Sequence, residues 1–121
     1  MKLHLAMIFT KDMNRMTSFY RDGLGLDLIE GESEEGWVVF DAEGTRVALH
    51  AIPPAIAENI ELEDPPRARE KAAVKLFYQV SDLTAAREHL ARHGAVMREP
   101  RSARSCDGLD PEGNVFGIMT K

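Results

Sequence analysis

Hydrophobic and polar positions alternate between two periods along this chain, and the same succession of periods occurs twice. An apolar run rich in Leu, Met and Ile, residues 2–9, predicts a first strand. Asp12 suits a helix N-cap, because its carboxylate can accept from free amides of the first turn. Met13, Met16, Phe19 and Tyr20 then recur at helical spacing, and Gly23 suits the residue just after the helix, where φ is often positive. Residues 26–30, 36–41 and 45–52 predict three short strands, with a polar turn at 31–35 and a tight Asp41-Ala42-Glu43-Gly44 hairpin turn.

The succession then restarts. Residues 74–80 predict a strand, Asp82 repeats the N-cap, and Leu83, Ala86 and Leu90 mark a helical face that Gly94 ends. Residues 95–98 and 102–109 predict further strands. Asp110-Pro111-Glu112-Gly113 is a turn, and 114–120 is a last strand. Asp82 follows Asp12 by 70 residues (82 − 12), and Asp110 follows Asp41 by 69 (110 − 41); both turns read Asp-x-Glu-Gly. Two βαβββ modules, 1–52 and 74–121, are therefore expected within one domain spanning 1–121. The linker, 53–73, carries Pro53-Pro54 and Pro65-Pro66, which prevent one continuous helix. It reads either as a plain connection or as a flap over a binding site.

Composition narrows the function. Fifteen Lys and Arg against 20 Asp and Glu give a net charge of −5, which disfavours a nucleic-acid backbone binder. Hydrophobic residues at 44% and charged residues at 29% fit a globular domain and argue against disorder. No apolar run approaches the roughly 20 residues that span a bilayer, and residues 1–10 do not read as a signal peptide. A single cysteine, Cys106, allows no internal disulfide and fits a cytoplasmic setting.

Phe19-Tyr20-Arg21-Asp22-Gly23-Leu24-Gly25-Leu26 after a strand and capped helix, with Asp110-Pro111-Glu112-Gly113-Asn114 near the end, resembles the vicinal oxygen chelate superfamily. Its members include glyoxalase I, extradiol dioxygenases, methylmalonyl-CoA epimerase, fosfomycin-resistance transferases and bleomycin-binding proteins. The resemblance implies an α+β fold in which two βαβββ modules form a cupped mixed sheet. It covers nearly the whole chain and says little about the reaction, because one scaffold hosts many chemistries. In metal-dependent relatives, ligands lie seven residues before the helix cap and four after the turn glycine. Those places hold Leu5, Lys75, Ala48 and Gly117 here. None offers an imidazole or carboxylate, leaving His4 and His50 as isolated candidates. The expectation is therefore that neither a metal nor another cofactor is used.

Strand alternation gives the expected lining of the cup. Arg46, Ala48, His50, Val115, Gly117 and Met119 share one parity, with Leu3, Leu5, Met7, Lys75, Phe77 and Gln79 beside them. Counting outward from the turns places Trp37 opposite Ala48, with His50 two residues further along, and Cys106 opposite Gly117. Small residues at 48 and 117 would leave room for a ligand. The candidate ligand-binding residues are Trp37, His50, Lys75, Phe77, Gln79 and Cys106. Each also has a structural reading. Trp37 suits stacking on a planar ligand, or a core or dimer contact. His50 is the candidate general base, or a strand-end histidine satisfied by backbone or water. Lys75 suits an acidic or carbonyl-bearing ligand, or extends to solvent. Cys106 is a nucleophile if its thiolate is stabilised, and otherwise a buried filler.

His89 and His93 read as solvated, and Arg101 and Arg104 as surface residues. The expected function is metal-free binding of a small organic molecule by a cytoplasmic homodimer, with no nucleic-acid or membrane partner. Alternatives are a glyoxalase-, epimerase- or dioxygenase-like enzyme with a non-standard ligand set, and a subunit-assembly module.

Overall fold

Each module is built on a capped helix and a parallel strand pair. The computed structural model describes residues 1–69 and 73–121 and divides the chain into two units, Met1–Glu61 and Leu62–Lys121. In the first unit, β1 (Leu5–Thr10) leads into α1 (Met13–Ser18), followed by β2 (Asp27–Leu28), β3 (Trp37–Asp41), β4 (Arg46–Ala51) and the single turn α2 (Pro54–Ala57). The second unit contains β5 (Leu76–Gln79), α3 (Leu83–Arg92), β6 (Val96–Met97), β7 (Ser105–Leu109) and β8 (Val115–Met119). The sheets have equivalent orders, β1-β4-β3-β2 and β5-β8-β7-β6. In each, the first pair is parallel and the others are antiparallel. The repeat expected from Asp12/Asp82 and the two turns is thus a repeat of topology.

Both N-caps form as the sequence predicts. Asp12 accepts from the Arg15 amide at 3.1 Å, and Asp82 accepts from the Ala85 amide at 3.0 Å. Gly23 is a correction. The first helix continues through a wide π turn, Phe19–Gly23, closed by the Leu24 amide on the Phe19 carbonyl at 3.0 Å. Gly23 lies inside that turn, and Gly25 takes the positive φ of 71°. The turn buries Phe19 and Tyr20 edge to face, with ring centres 5.3 Å apart.

The ladders fix the two faces of each sheet. In the first unit, Phe40 pairs with Val47 and Val38 with Leu49, and the Tyr20 ring lies 6.3 Å from Phe40, so this face meets the helical layer. The opposite face carries Met7, Phe9, Trp37, Val39, Ala48 and His50. In the second unit, Tyr78, Phe116, Ile118 and Cys106 form the buried face. Phe77, Gln79, Asp107, Gly117 and Met119 share the other.

The two Asp-x-Glu-Gly turns have different lengths. The Ala42 amide donates to the Thr45 carbonyl at 3.0 Å, leaving a two-residue loop in which Glu43 and Gly44 have φ of 51° and 114°. Pro111 occupies the place of Ala42 and has no amide to donate. The bond moves to the Asp110 amide on the Asn114 carbonyl at 2.9 Å, giving a three-residue loop closed by Gly113 at φ 83°. Asp110 is fully buried and accepts from the Glu112 and Asn114 amides at 2.9 and 3.0 Å.

The linker is divided between the units. Lys11 Nζ donates to the Ile60 carbonyl in the first. In the second, the Arg69 amide donates to the Gly113 carbonyl at 3.1 Å, and Arg69 Nε donates to the Glu112 carbonyl at 3.0 Å. Residues 67–69 therefore form a strap across the second hairpin turn. Residues 70–72 of the expected linker lie outside the described residues.

The strap separates two glycines that share positive φ. A Cβ on Gly44 meets nothing within 4 Å, whereas one on Gly113 runs into the Arg67 carbonyl. Left-handed backbone costs a non-glycine residue about 1–3 kcal/mol. Gly44→Ala is expected to lose about that much in urea denaturation, and Gly113→Ala more, because the strap must also move.

Candidate functional site

The less covered sheet faces hold the candidate residues, and the ladders determine which of them meet. Trp37 pairs with His50 rather than Ala48, and Val39 stands opposite Ala48. The expected register slides by two because Ala42 and Thr45, rather than Phe40 and Thr45, bracket the loop. A slide of two preserves the face, so Trp37 and His50 still share it. Their ring centres are 5.5 Å apart at 80°, edge to face. Phe9, opposite His50 on β1, stacks on it at 5.8 Å and 29°. Sequence reasoning missed Phe9, although its parity follows from Leu5 and Met7. The result is a row of three rings with the imidazole in the middle. His50 is exposed, Trp37 is half-buried, and Phe9 retains 55% of its surface.

Arg46, on the same face, is already committed. Its guanidinium lies 3.3 Å from Glu32 and 3.4 Å from Asp41. The hydrogen bond to Glu32 raises its pKa further, against a smaller opposing effect of desolvation.

In the second unit, the three-residue loop shifts the ladder by one, which exchanges faces. Asp107, not Cys106, stands opposite Gly117. Cys106 is fully buried on the other face, with its thiol 3.1 Å from the Arg98 carbonyl, so the structure removes it from the candidate ligand surface. Pro111 was the available signal. Lys75 Nζ donates to Asp107 Oδ2 at 3.0 Å and lies 5.2 Å from the centre of the Phe77 ring. Arg101 approaches the same oxygen at 3.8 Å. Lys75 therefore does not simply extend to solvent. Phe77 lies across Gly117, where an added Cβ would enter its ring. The room expected at 117 is filled, while Gln79 and Met119 stand exposed beside one another. Ala48 is fully buried and opens no visible space.

The four places where the resemblance puts metal ligands do not fit a divalent ion. Leu5 and Ala48 are hydrocarbon, the Lys75 ammonium is held by Asp107, and Gly117 is covered by Phe77. Among the described residues, no group of three or more His, Cys, Asp and Glu is placed to hold a metal.

Two mixed sheets of order 1-4-3-2, each with its helix between the first and second strands, define a protein of the paired-βαβββ class. The chain belongs to the Glyoxalase/Bleomycin resistance protein/Dioxygenase superfamily, which it matches over residues 2–118. No curated protein sequence matches it significantly. A glyoxalase/bleomycin resistance protein/dioxygenase family enzyme from Burkholderia phytofirmans has a similar structure, with a TM-score of 0.79, 21% identity, and coverage of 99% of this chain and 98% of that one. A protein of unknown function from Agrobacterium tumefaciens gives 0.72 at 28% identity, covering 100% and 94%. The fosfomycin resistance protein FosX from Listeria monocytogenes gives 0.74 at 15%, covering 100% and 93%. No helix among the described residues is long and apolar enough to cross a membrane.

Two stability predictions follow from the second unit's polar groups. The Asp107 side chain is 10% exposed, so losing Lys75 leaves a poorly solvated carboxylate behind. A double-mutant cycle of Lys75→Met and Asp107→Asn in urea should give a coupling of about 1 kcal/mol. On the buried face, the Tyr78 hydroxyl has no hydrogen-bond partner among the described residues, and burial, then the Asp110 charge, pushes its pKa up. The folded state thus holds the phenolic proton after the unfolded chain releases it near pH 10. Tyr78 leaves stability unchanged below that pH and lowers it above, by at most about 1.4 kcal/mol per pH unit. Urea melts of Tyr78→Phe at pH 8 and 10.5 should show less alkaline loss than the parent, with equal or greater stability at pH 8.

Proposed function

We propose that this chain binds a small, planar, partly apolar organic molecule without the divalent metal of its metal-dependent relatives, and that Phe9, Trp37 and His50 form the contact surface. The row of three rings on an incompletely covered sheet face carries this reading. Aromatic faces take planar ligands by stacking, worth about 0.5–1.5 kcal/mol beyond area burial, and the imidazole adds one hydrogen bond that changes with its protonation. The misfit of Leu5, Ala48, Lys75 and Gly117 as metal ligands supports binding without a metal. On the second unit, Phe77, Gln79 and the Lys75–Asp107 pair offer a further surface for a ligand with a polar head.

Trp37 is the only tryptophan, so its emission reports the site. A compound selected by thermal shift should quench or shift that emission. Trp37→Phe should retain much of the affinity and Trp37→Ala less, while His50→Gln should alter the pH dependence of binding. Elemental analysis after mild purification should find no stoichiometric Ni, Zn, Fe or Mn. A near-stoichiometric metal lost on His50→Ala would overturn the metal-free reading.

The same reading includes a cytoplasmic homodimer. The reduced, buried Cys106 suits the compartment. Exposed Leu3 and Met7 in the first unit, and separately Met119 in the second, are apolar side chains that a second copy would cover. Light scattering across a dilution series should give twice the 13.5 kDa chain mass.

A further inference from the structure

Two histidines outside this surface lie side by side. His89 and His93 lie four residues apart at the end of α3, so their side chains share one face of the helix. Their ring centres are 4.3 Å apart, and the planes are inclined by 39°. His93 Nδ1 lies 2.8 Å from the His89 carbonyl oxygen, to which a protonated Nδ1 donates. That tautomer leaves Nε2 as the unprotonated nitrogen of His93. This is the arrangement of a metal-binding imidazole, whose second nitrogen is held by a backbone carbonyl or carboxylate.

We propose that the last turn of α3 binds a late first-row divalent cation, copper(II), nickel(II) or zinc(II), through His89 and His93. The ring spacing accommodates a shared ion. With metal–nitrogen bonds of about 2.0–2.1 Å, an ion lies roughly 3.2 Å from each imidazole centre. Two centres 4.3 Å apart then subtend about 85° at the ion, close to the right angle of cis ligands in a tetragonal or octahedral shell. The helix C-terminus presents partial negative charge to a cation. Arg92, between the two histidines in sequence, opposes that attraction, and Glu88 beside His89 adds to it. Imidazole donors select against magnesium and calcium, and the order of affinity for such sites puts copper first. Two protein ligands leave the remaining positions to water or to a donor from another molecule, so the ion exchanges freely, is lost on purification and returns only when metal is added, apart from the metal-free sheet face. The half-buried His89 and exposed His93 give an ion access from solvent.

The test uses untagged protein titrated with nickel(II), zinc(II) and copper(II), with magnesium(II) as the control. One late-metal ion should bind per chain, and magnesium should not bind. The copper spectrum should show coupling to two imidazole nitrogens. Paramagnetic broadening of amide signals should centre on the last turn of α3. His89→Gln and His93→Gln should each weaken binding by about tenfold or more, while His4→Gln should leave it unchanged. Undiminished binding in the double glutamine variant, loss in His4→Gln, or broadening centred elsewhere overturns the proposal. If the double variant loses its helix by circular dichroism, the wild-type copper spectrum and broadening map decide: fewer than two imidazole nitrogens, or a centre away from α3, overturns it.

Discussion

The length of a hairpin loop decides which side chains in this protein can meet. Side chains alternate strictly along a strand, so moving a ladder by one residue exchanges every neighbour across it. Glu43 and Gly44 span the first hairpin in two residues, and this loop places Trp37 against His50. The second hairpin uses three residues, which brings Asp107 over Gly117 and sends Cys106 into the interior. The three aromatic rings of one unit and the ion pair of the other both depend on these closures. So does the strap at residues 67–69, because it is hydrogen-bonded to the second loop itself.

Most of the architecture was legible from local chemistry. Asp12 and Asp82 announced helix starts through a carboxylate that accepts first-turn amides, and both do so. The matching turns announced the internal repeat, and the strand orders bear it out. The contacts were less legible because they depend on register. The same Asp-x-Glu-Gly letters close different loops, and the difference rests on Pro111, which lacks an amide hydrogen. Trp37 and His50 remained companions because an error of two is invisible to strand parity. Cys106 did not survive an error of one. The π turn was hidden for another reason: Phe19 and Tyr20 fit an ordinary helical pattern, and nothing in their spacing distinguishes the wide turn in which both rings are buried.

The units share a plan and differ in what they display. Counted along the repeat, Phe9 and His50 correspond to Gln79 and Met119, while Val39 corresponds to Asp107. One face became aromatic with a single titratable ring. The other became an aromatic floor beneath a lysine and an aspartate. A chain in the glyoxalase superfamily thus carries two chemically unlike surfaces on equivalent frames.

The ring of Phe77 over Gly117 also constrains how this chain can change. Any side chain gained at 117 must first displace that ring, and the ring in turn lies beneath the Lys75 ammonium. Positions 75, 77 and 117 are therefore coupled neighbours, where the effect of one substitution depends on what stands at the other two. A metal-ligating side chain at 117 therefore requires Phe77, half of whose surface is open to solvent, to turn to another rotamer.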